Sequence, residues 1–260
     1  MKEKPHIQAV TDFLIEYATK MLSIGTYTAR IDRCVGRIAR AYGYDVSLTI
    51  FVRNFTISVM DPLDNSIRRT YVKSTATSVV NFRLISELSA LSWQIYDDRF
   101  SLEVAKEHFA DIITHQNNSF AKTLIFITFA NSAFCKLFGG DLGAVISVFV
   151  ATFIGFYCRF LLAKFSVNLK LQYIIVSFIS SFIAYLGVHF GFSTTPDVAI
   201  GSSILFMMPG IFMINSIFDI LNENILVGIS RAFSTGILIL CIAIGVYMTL
   251  SISNIGLIGV

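Results

Sequence analysis

Residues 197–224 read DVAIGSSILFMMPGIFMINSIFDILNEN, and the architecture of the chain turns on how this stretch is taken. Residues 197–218 are apolar and long enough to cross a membrane, for which about 20 residues are needed. Met207-Met208-Pro209-Gly210 interrupts the run near its middle. Pro209 removes a backbone donor and strains the preceding turn, while Gly210 lets the chain bend or another element approach. Such a break at membrane depth is tolerated where protein or a wet cavity satisfies the freed backbone groups; otherwise it is a packing kink. Beyond it stand Asn215, Ser216, Asp219, Asn222 and Glu223, with Asn215 and Asp219 one helical turn apart. A carboxylate inside a membrane is costly enough to suggest a function, whereas Asp219 and Glu223 at an interface would merely be solvated. Both alternatives stay open on this stretch alone.

Working outward, the same criterion finds spans near 120–138, 141–163, 171–190, 197–218 and 225–250. They are separated by Gly139-Gly140-Asp141, by Lys164 to Lys170, by Gly191 to Pro196 and by Asp219 to Asn224. The whole chain is 55% hydrophobic and 14% charged, with a mean hydropathy of +0.70, where an ordinary globular protein carries about a quarter charged residues. Residues 1–118 hold 14 of the 20 Lys/Arg and 13 of the 17 Asp/Glu, so the charge lies ahead of the apolar runs. The expected fold is therefore an N-terminal α+β cytoplasmic domain, residues 1–118, followed by an all-α polytopic transmembrane bundle of about five helices, residues 119–260. With the N-terminus inside, Lys122, Arg159, Lys164, Lys170 and Arg231 lie at the inner side and only Lys136 toward the outside, as retention of basic residues in the cytoplasm demands. Five spans then leave the C-terminus outside.

In the first part, Ile7, Val10, Leu14, Tyr17, Ala18, Met21 and Leu22 mark one helical face over 7–24, with Gly25 as a stop. A second helix is expected from Thr28 to Tyr42, with Arg30, Arg33, Arg37 and Arg40 on one side and Ile31, Cys34, Val35, Ile38 and Tyr42 on the other. Asp45 to Phe51, Phe55 to Met60 and Ile67 to Val72 read as an antiparallel meander with a turn at Asp61 to Ser66. Helical periodicity returns over Asn81 to Asp97 and Ser101 to Gln116.

The start of the chain has no apolar region or small-residue cleavage site of a secretory signal, so the N-terminal domain is expected to stay in the cytoplasm. Cys34, Cys135, Cys158 and Cys241 are isolated, without zinc spacing, and read as small hydrophobes. A net charge of +3 gives no ground for nucleic acid as a partner. His108, Asp111 and His115 could share a helical face and converge on a metal, but no catalytic or zinc motif accompanies them and a solvated face is the simpler account. His189 reads as an interfacial residue and Trp93 as core. No cofactor, metal or catalytic residue is expected, and the chain is not read as an enzyme.

Gly25-x-x-Thr28-x-Arg30-Ile31-Asp32, then Asn81-x-x-Leu84 and Leu88-Ser89, then Pro209-Gly210 with Asn215 and Asp219, occur in an order that resembles the threonine/serine exporter family, in its stand-alone ThrE/YjjP-like form. The Phe138-Gly139-Gly140 corner and the Gly228 to Arg231 segment extend the resemblance over nearly the whole chain. It implies a subunit of a bacterial exporter of small polar metabolites, threonine and serine or a dicarboxylate such as succinate, in the plasma membrane. It also implies a separate, small all-membrane partner subunit, and homo-oligomerisation stays open. Carried over by position, Thr28, Arg30 and Asp32 match the N-terminal motif, to which no chemical role attaches. Pro209, Gly210, Asn215 and Asp219 match the broken-helix segment and are expected to line the transport path, with Asp219, or else Glu223, exchanging the coupling proton.

Two readings from other classes remain at this stage. One is a membrane-anchored enzyme using the soluble domain. The other is a sensor or docking module whose arginine stripe meets anionic headgroups or an acidic partner.

Overall fold

The computed structural model describes residues 4–51, 54–64, 66–75, 80–114 and 119–253. The chain folds into two compact units, the first formed by Met1–Gln116 with Ile211–Ala232, the second by Asn117–Gly210 with Phe233–Val260.

The first unit begins with α1 (Ile7–Ser23) and α2 (Thr28–Ala41), continues through strands β1 (Asp45–Ile50), β2 (Asn54–Met60) and β3 (Arg68–Ser74), and adds α3 (Phe82–Asp97) and α4 (Leu102–Thr114). The strands form an antiparallel meander in the order β1-β2-β3, with Val46 opposite Val59 and Ile57 opposite Tyr71. Alternation along β2 turns Phe55, Ile57 and Val59 into the core, as the period of two in a strand requires. The apolar stripe of α1 fills the other side of that core: Phe13 meets Phe109 edge-on, and the Tyr17 hydroxyl donates to the Leu88 carbonyl at 2.8 Å, so the one polar atom of a buried ring is satisfied. Gly25 closes α1 at φ +79°, and a Cβ there would meet Val80 Cγ2 at 2.7 Å, so the corner into α2 needs glycine for both conformation and space.

The second unit holds α5 (Phe120–Leu137), α6 (Leu142–Lys164), α7 (Leu169–His189), α8 (Pro196–Ser203) and a single 3-10 turn at Leu205–Met207. It also takes residues 233 onward of α10 (Ile225–Ser253). Here small and hydroxylated residues share the interior with apolar ones such as Val148, Val176, Met207 and Ile242. Thr128, Asn131, Ser132, Thr152, Ser177 and Ser181 are buried, while Phe126, Leu137, Leu142 and Phe233 are exposed. Asn131 Nδ2 donates to Thr152 Oγ1 at 2.6 Å and to the Ser202 carbonyl at 3.0 Å, joining α5, α6 and α8, and Ser181 shares a 2.7 Å hydrogen bond with Thr249. Small and hydroxylated residues inside with large apolar ones outside is how helices pack where the surrounding medium is itself apolar. Among the described residues four helices are long and apolar enough to cross a membrane, α5, α6, α7 and α10, or five if the interrupted pair Pro196–Met207 and Gly210–Leu221 is one span. The chain is a multi-pass membrane protein.

The expected N-terminal α+β domain followed by an all-α transmembrane bundle is overturned. The chain is 73% helical, with a small three-stranded sheet at 45–74 and helices on both sides of it in sequence. Residues 211–232, which hydropathy assigns to the membrane run, belong to the first unit. The physical reason lies in α9 (Gly210–Leu221). Hydropathy averages around a helix, and this one has two unlike faces: Ser216 and Asp219 are buried and Asn215 half-buried, while Met213, Ile214, Ile217, Phe218 and Leu221 are exposed. Its polar face finds its partners in the α1–α2 corner.

Candidate functional site

Every α-helix begins with backbone N–H groups that have no partner inside it. At the start of α2 the capping position is Tyr27, whose side chain makes no capping bond. Asp219 supplies what Tyr27 lacks. Its Oδ1 accepts the Thr28 backbone N–H at 2.7 Å, and its Oδ2 accepts from Arg231 Nη1 at 2.6 Å. The carboxylate is 0% exposed and the arginine side chain 21% exposed. A helix N-terminus and a guanidinium thus share one buried negative charge, each offsetting part of its desolvation. One turn earlier on α9, Asn215 Nδ2 donates to the Gly25 carbonyl at 2.8 Å. The same α1–α2 corner is therefore held twice, at the end of one helix and at the beginning of the next.

Local chain geometry brings Arg231 back to Asp219. After α9 the chain reverses through Glu223, at φ +65°, and the Asn224 N–H returns to the Asp219 carbonyl at 2.8 Å. Helix α10 then starts at Ile225 and carries Arg231 on its second turn. Gly228 permits the close approach: a Cβ there would lie 2.8 Å from the Ser216 carbonyl oxygen and 2.9 Å from the Ile220 nitrogen. Beside the ion pair, the Tyr27 ring stacks on Phe218 at 5.4 Å, and its hydroxyl accepts from Arg33 at 2.9 Å. The Thr28 hydroxyl is buried with no hydrogen-bond partner among the described residues.

Thr28, Asn215 and Asp219, drawn from two motifs far apart in sequence, therefore meet at one corner. Arg30 lies against Tyr27, 5.3 Å from the ring centroid, and Asp32 is exposed on α2. Pro209 and Gly210 belong to the second unit, where the chain is extended at Met208 before α9 begins. Glu223 is exposed. The arginine stripe is not uniform, because Arg37 donates to Ser92 Oγ and its guanidinium sits 3.5 Å from the Trp93 ring centroid, pinning α2 to α3. Trp93 is accordingly not core: it is 52% exposed, and the cation over its face occupies it instead. His108 stacks on Phe100, and His115 lies outside the described residues. Among the described residues no three His, Cys, Asp or Glu side chains converge as metal ligands. His189 approaches the Tyr185 hydroxyl at 3.4 Å.

Three residues escape sequence reasoning as parts of a site. Arg231 counts there as an orienting charge and as the end of the Gly228 to Arg231 segment, though a lone cation within an apolar run needs a counter-charge. Asn131 draws no attention, though an isolated amide in a span has to find a partner. Asp141 reads as a break, but an aspartate just before a long apolar run is a helix-start signal. It caps α6 through the Ala144 N–H at 2.7 Å and holds the 191–195 loop through the Thr194 N–H at 2.6 Å and the Ser193 hydroxyl at 2.9 Å. These donors, the Thr194 and Ala144 amides foremost, hold its carboxyl well below the usual carboxylate range.

Residues 12–253 match the family described as "Putative threonine/serine exporter". The "Probable succinate transporter subunit YjjP" of Klebsiella aerogenes is 24% identical over 250 residues, covering 96% of each chain. Its namesake in Escherichia coli K12 is 26% identical over 247 residues, 94% of this chain and 95% of that one. No solved structure gives a significant match. On a match that spans both units and includes Thr28, Asn215, Asp219 and Arg231, this chain belongs to the threonine/serine exporter family, a family of membrane transporters.

Proposed function

We propose that this chain is one subunit of a bacterial secondary transporter that exports a small polar metabolite, threonine and serine or a dicarboxylate such as succinate, across the plasma membrane in exchange for protons. The relatives are named as subunits, which supports a separate partner, and a small all-membrane protein of the same family is the partner proposed. The observation that carries the reading is Asp219: a carboxylate with no solvent exposure, on the helix that follows a Pro-Gly break, held by one arginine and one helix N-terminus.

The route proposed for the solute runs along the broken segment, Pro209 and Gly210 through the polar face of α9 with Asn215 and Asp219. With Asn215 on the Gly25 carbonyl and Asp219 on Thr28 and Arg231, that face is closed. Protonation of Asp219 cancels the charge that attracts both partners and so favours release of the corner, which couples proton uptake to exposure of the polar face. Glu223 is the weaker coupling candidate, since it is exposed and solvated. The N-terminus is placed in the cytoplasm and the C-terminus outside. In support, Asp141 joins the 138–141 corner to the 191–195 loop, so both turns lie at one face of the membrane, away from Lys164 and Lys170.

Co-reconstitution of the chain with its partner subunit in vesicles tests this. Efflux of labelled threonine, serine and succinate should follow an imposed pH gradient for at least one solute, and Asp219→Asn should bring it down to the passive leak. Gradient-driven efflux at the wild-type rate in Asp219→Asn would remove Asp219 from the coupling step.

A further inference from the structure

The α1–α2 corner of the first unit opens beside the ion pair into a crevice of about 240 Å³. Its walls are Phe82, Ile85, Ile211, Ile214 and Phe218, with Tyr27 and Arg30 at its edge. We infer that this crevice binds an anionic phospholipid, the acyl chain against the apolar walls and the headgroup phosphate on Arg30.

Three observations lead to that occupant. First, the apolar walls are not closed over: Phe82, Ile214 and Phe218 are exposed, and the same outward apolar surface continues along α9 and into α10 through Ile217, Leu221, Ile225 and Leu226. A contiguous exposed patch of this kind needs an apolar medium. Second, the cation at its edge has no counter-charge among the described residues. Among the described residues Arg30 makes no ion pair, and its contact is the face of Tyr27. Arg33 stands next to it on the Tyr27 hydroxyl, so two guanidiniums border one aromatic ring that rests on Phe218. Third, the sequence of surfaces is that of a membrane boundary: aliphatic, then aromatic with its hydroxyl outward, then basic. A small dicarboxylate suits the crevice poorly, since Arg30 is the one charged side chain among its lining residues and would face two carboxylates, while the apolar walls would desolvate them without hydrogen bonds. Of the other polar side chains that line it, Asn215 has its amide on the Gly25 carbonyl, and the buried Thr26 hydroxyl faces the Met21 sulfur. A phosphodiester with a chain satisfies the cation and the walls together. The inference goes beyond the transport reading and does not depend on it.

Spin-labelled lipids in bilayers containing the purified full chain provide the test. Labelled phosphatidylglycerol should associate about fivefold more strongly than labelled phosphatidylcholine, the effect of one arginine near the surface. Arg30→Gln should reduce the two to equality, Arg30→Lys should keep the preference, and Ile214→Trp, which fills the crevice without touching a charge, should weaken it. Arg40→Gln, on an exposed part of the same helix, should leave it intact. Equal association of both lipids with the wild type overturns the proposal, as does an equal loss in Arg40→Gln, because a diffuse positive surface rather than a site would then explain the preference. A preference that disappears when the partner subunit is added would assign the crevice to a protein contact and likewise overturn it.

Discussion

At the scale of single residues the molecule depends on charges placed where an average would not put them. Asp219 has no exposure, so removing Arg231 leaves a buried carboxylate without its cation. Arg231→Met should cost about 3–5 kcal/mol, the usual penalty of an unpaired buried charge, while Asp219→Leu combined with Arg231→Met should cost clearly less than the single change. Thermal unfolding of the detergent-solubilised variants measures both, and a double variant as unstable as the single would mean that packing, not charge, sets the cost. Asp141 shows the same logic at a helix start. Because its folded carboxyl titrates below the ordinary value near 3.9, its contribution is complete above that value and is lost only as pH falls through the lower, folded one. Asp141→Asn should therefore lower the Tm by a few degrees, with a deficit that stays constant from about pH 5 to about pH 8 and narrows only in strong acid. A deficit that vanishes at mild acidity would contradict the cap assignment.

Elements whose partners are close in sequence are legible in it; elements completed from a distance are not. The stripe over 7–24 is α1 at Ile7–Ser23, the basic helix from Thr28 is α2, and the three short β-rich segments are the meander. In each case the apolar spacing and the turn residues lie within the element itself. Helix α9 is the contrary case. Its break at Pro209 and its polar pair Asn215 and Asp219 can be read, but their partners Gly25 and Thr28 lie 190 and 191 residues away, and no periodicity in 210–221 points to them. Trp93 misleads for a related reason, since a helical stripe does not disclose that an arginine on a neighbouring helix will cover a ring. The turn that closes α9 carries its own prediction. Glu223 adopts φ +65°, a left-handed conformation that costs a non-glycine residue ~1–2 kcal/mol. Glu223→Gly should raise stability by ~1 kcal/mol, read as a higher Tm, and leave efflux unchanged if the exposed carboxylate takes no part in coupling. Lost efflux in a stabilised variant would move the coupling role from Asp219 to Glu223.

For the whole molecule, the consequence is that its first unit is not finished when its first stretch of chain is. Residues 1–116 contain the core around Tyr17, Phe13 and Phe109, yet the acceptor for the Thr28 amide and the donor to the Gly25 carbonyl come from 211–232. A fragment ending at residue 116 should accordingly keep its sheet and core but lose order at one place, the start of α2. The loss of a helix cap is worth about 1 kcal/mol, which corresponds to a five- to tenfold faster amide exchange where opening is local. Hydrogen exchange should thus show the amides of Thr28 and the rest of the first turn of α2 accelerated by about that factor in the fragment, with those of Leu14, Tyr17 and Leu88 unchanged. Asp219→Ala in the full chain should reproduce the same local acceleration without any truncation, which separates the missing carboxylate from a general loosening of the fragment. If Thr28 is equally protected in all three proteins, the start of α2 does not depend on the later segment, and a proton on Asp219 would have no lever on the corner that it is proposed to release.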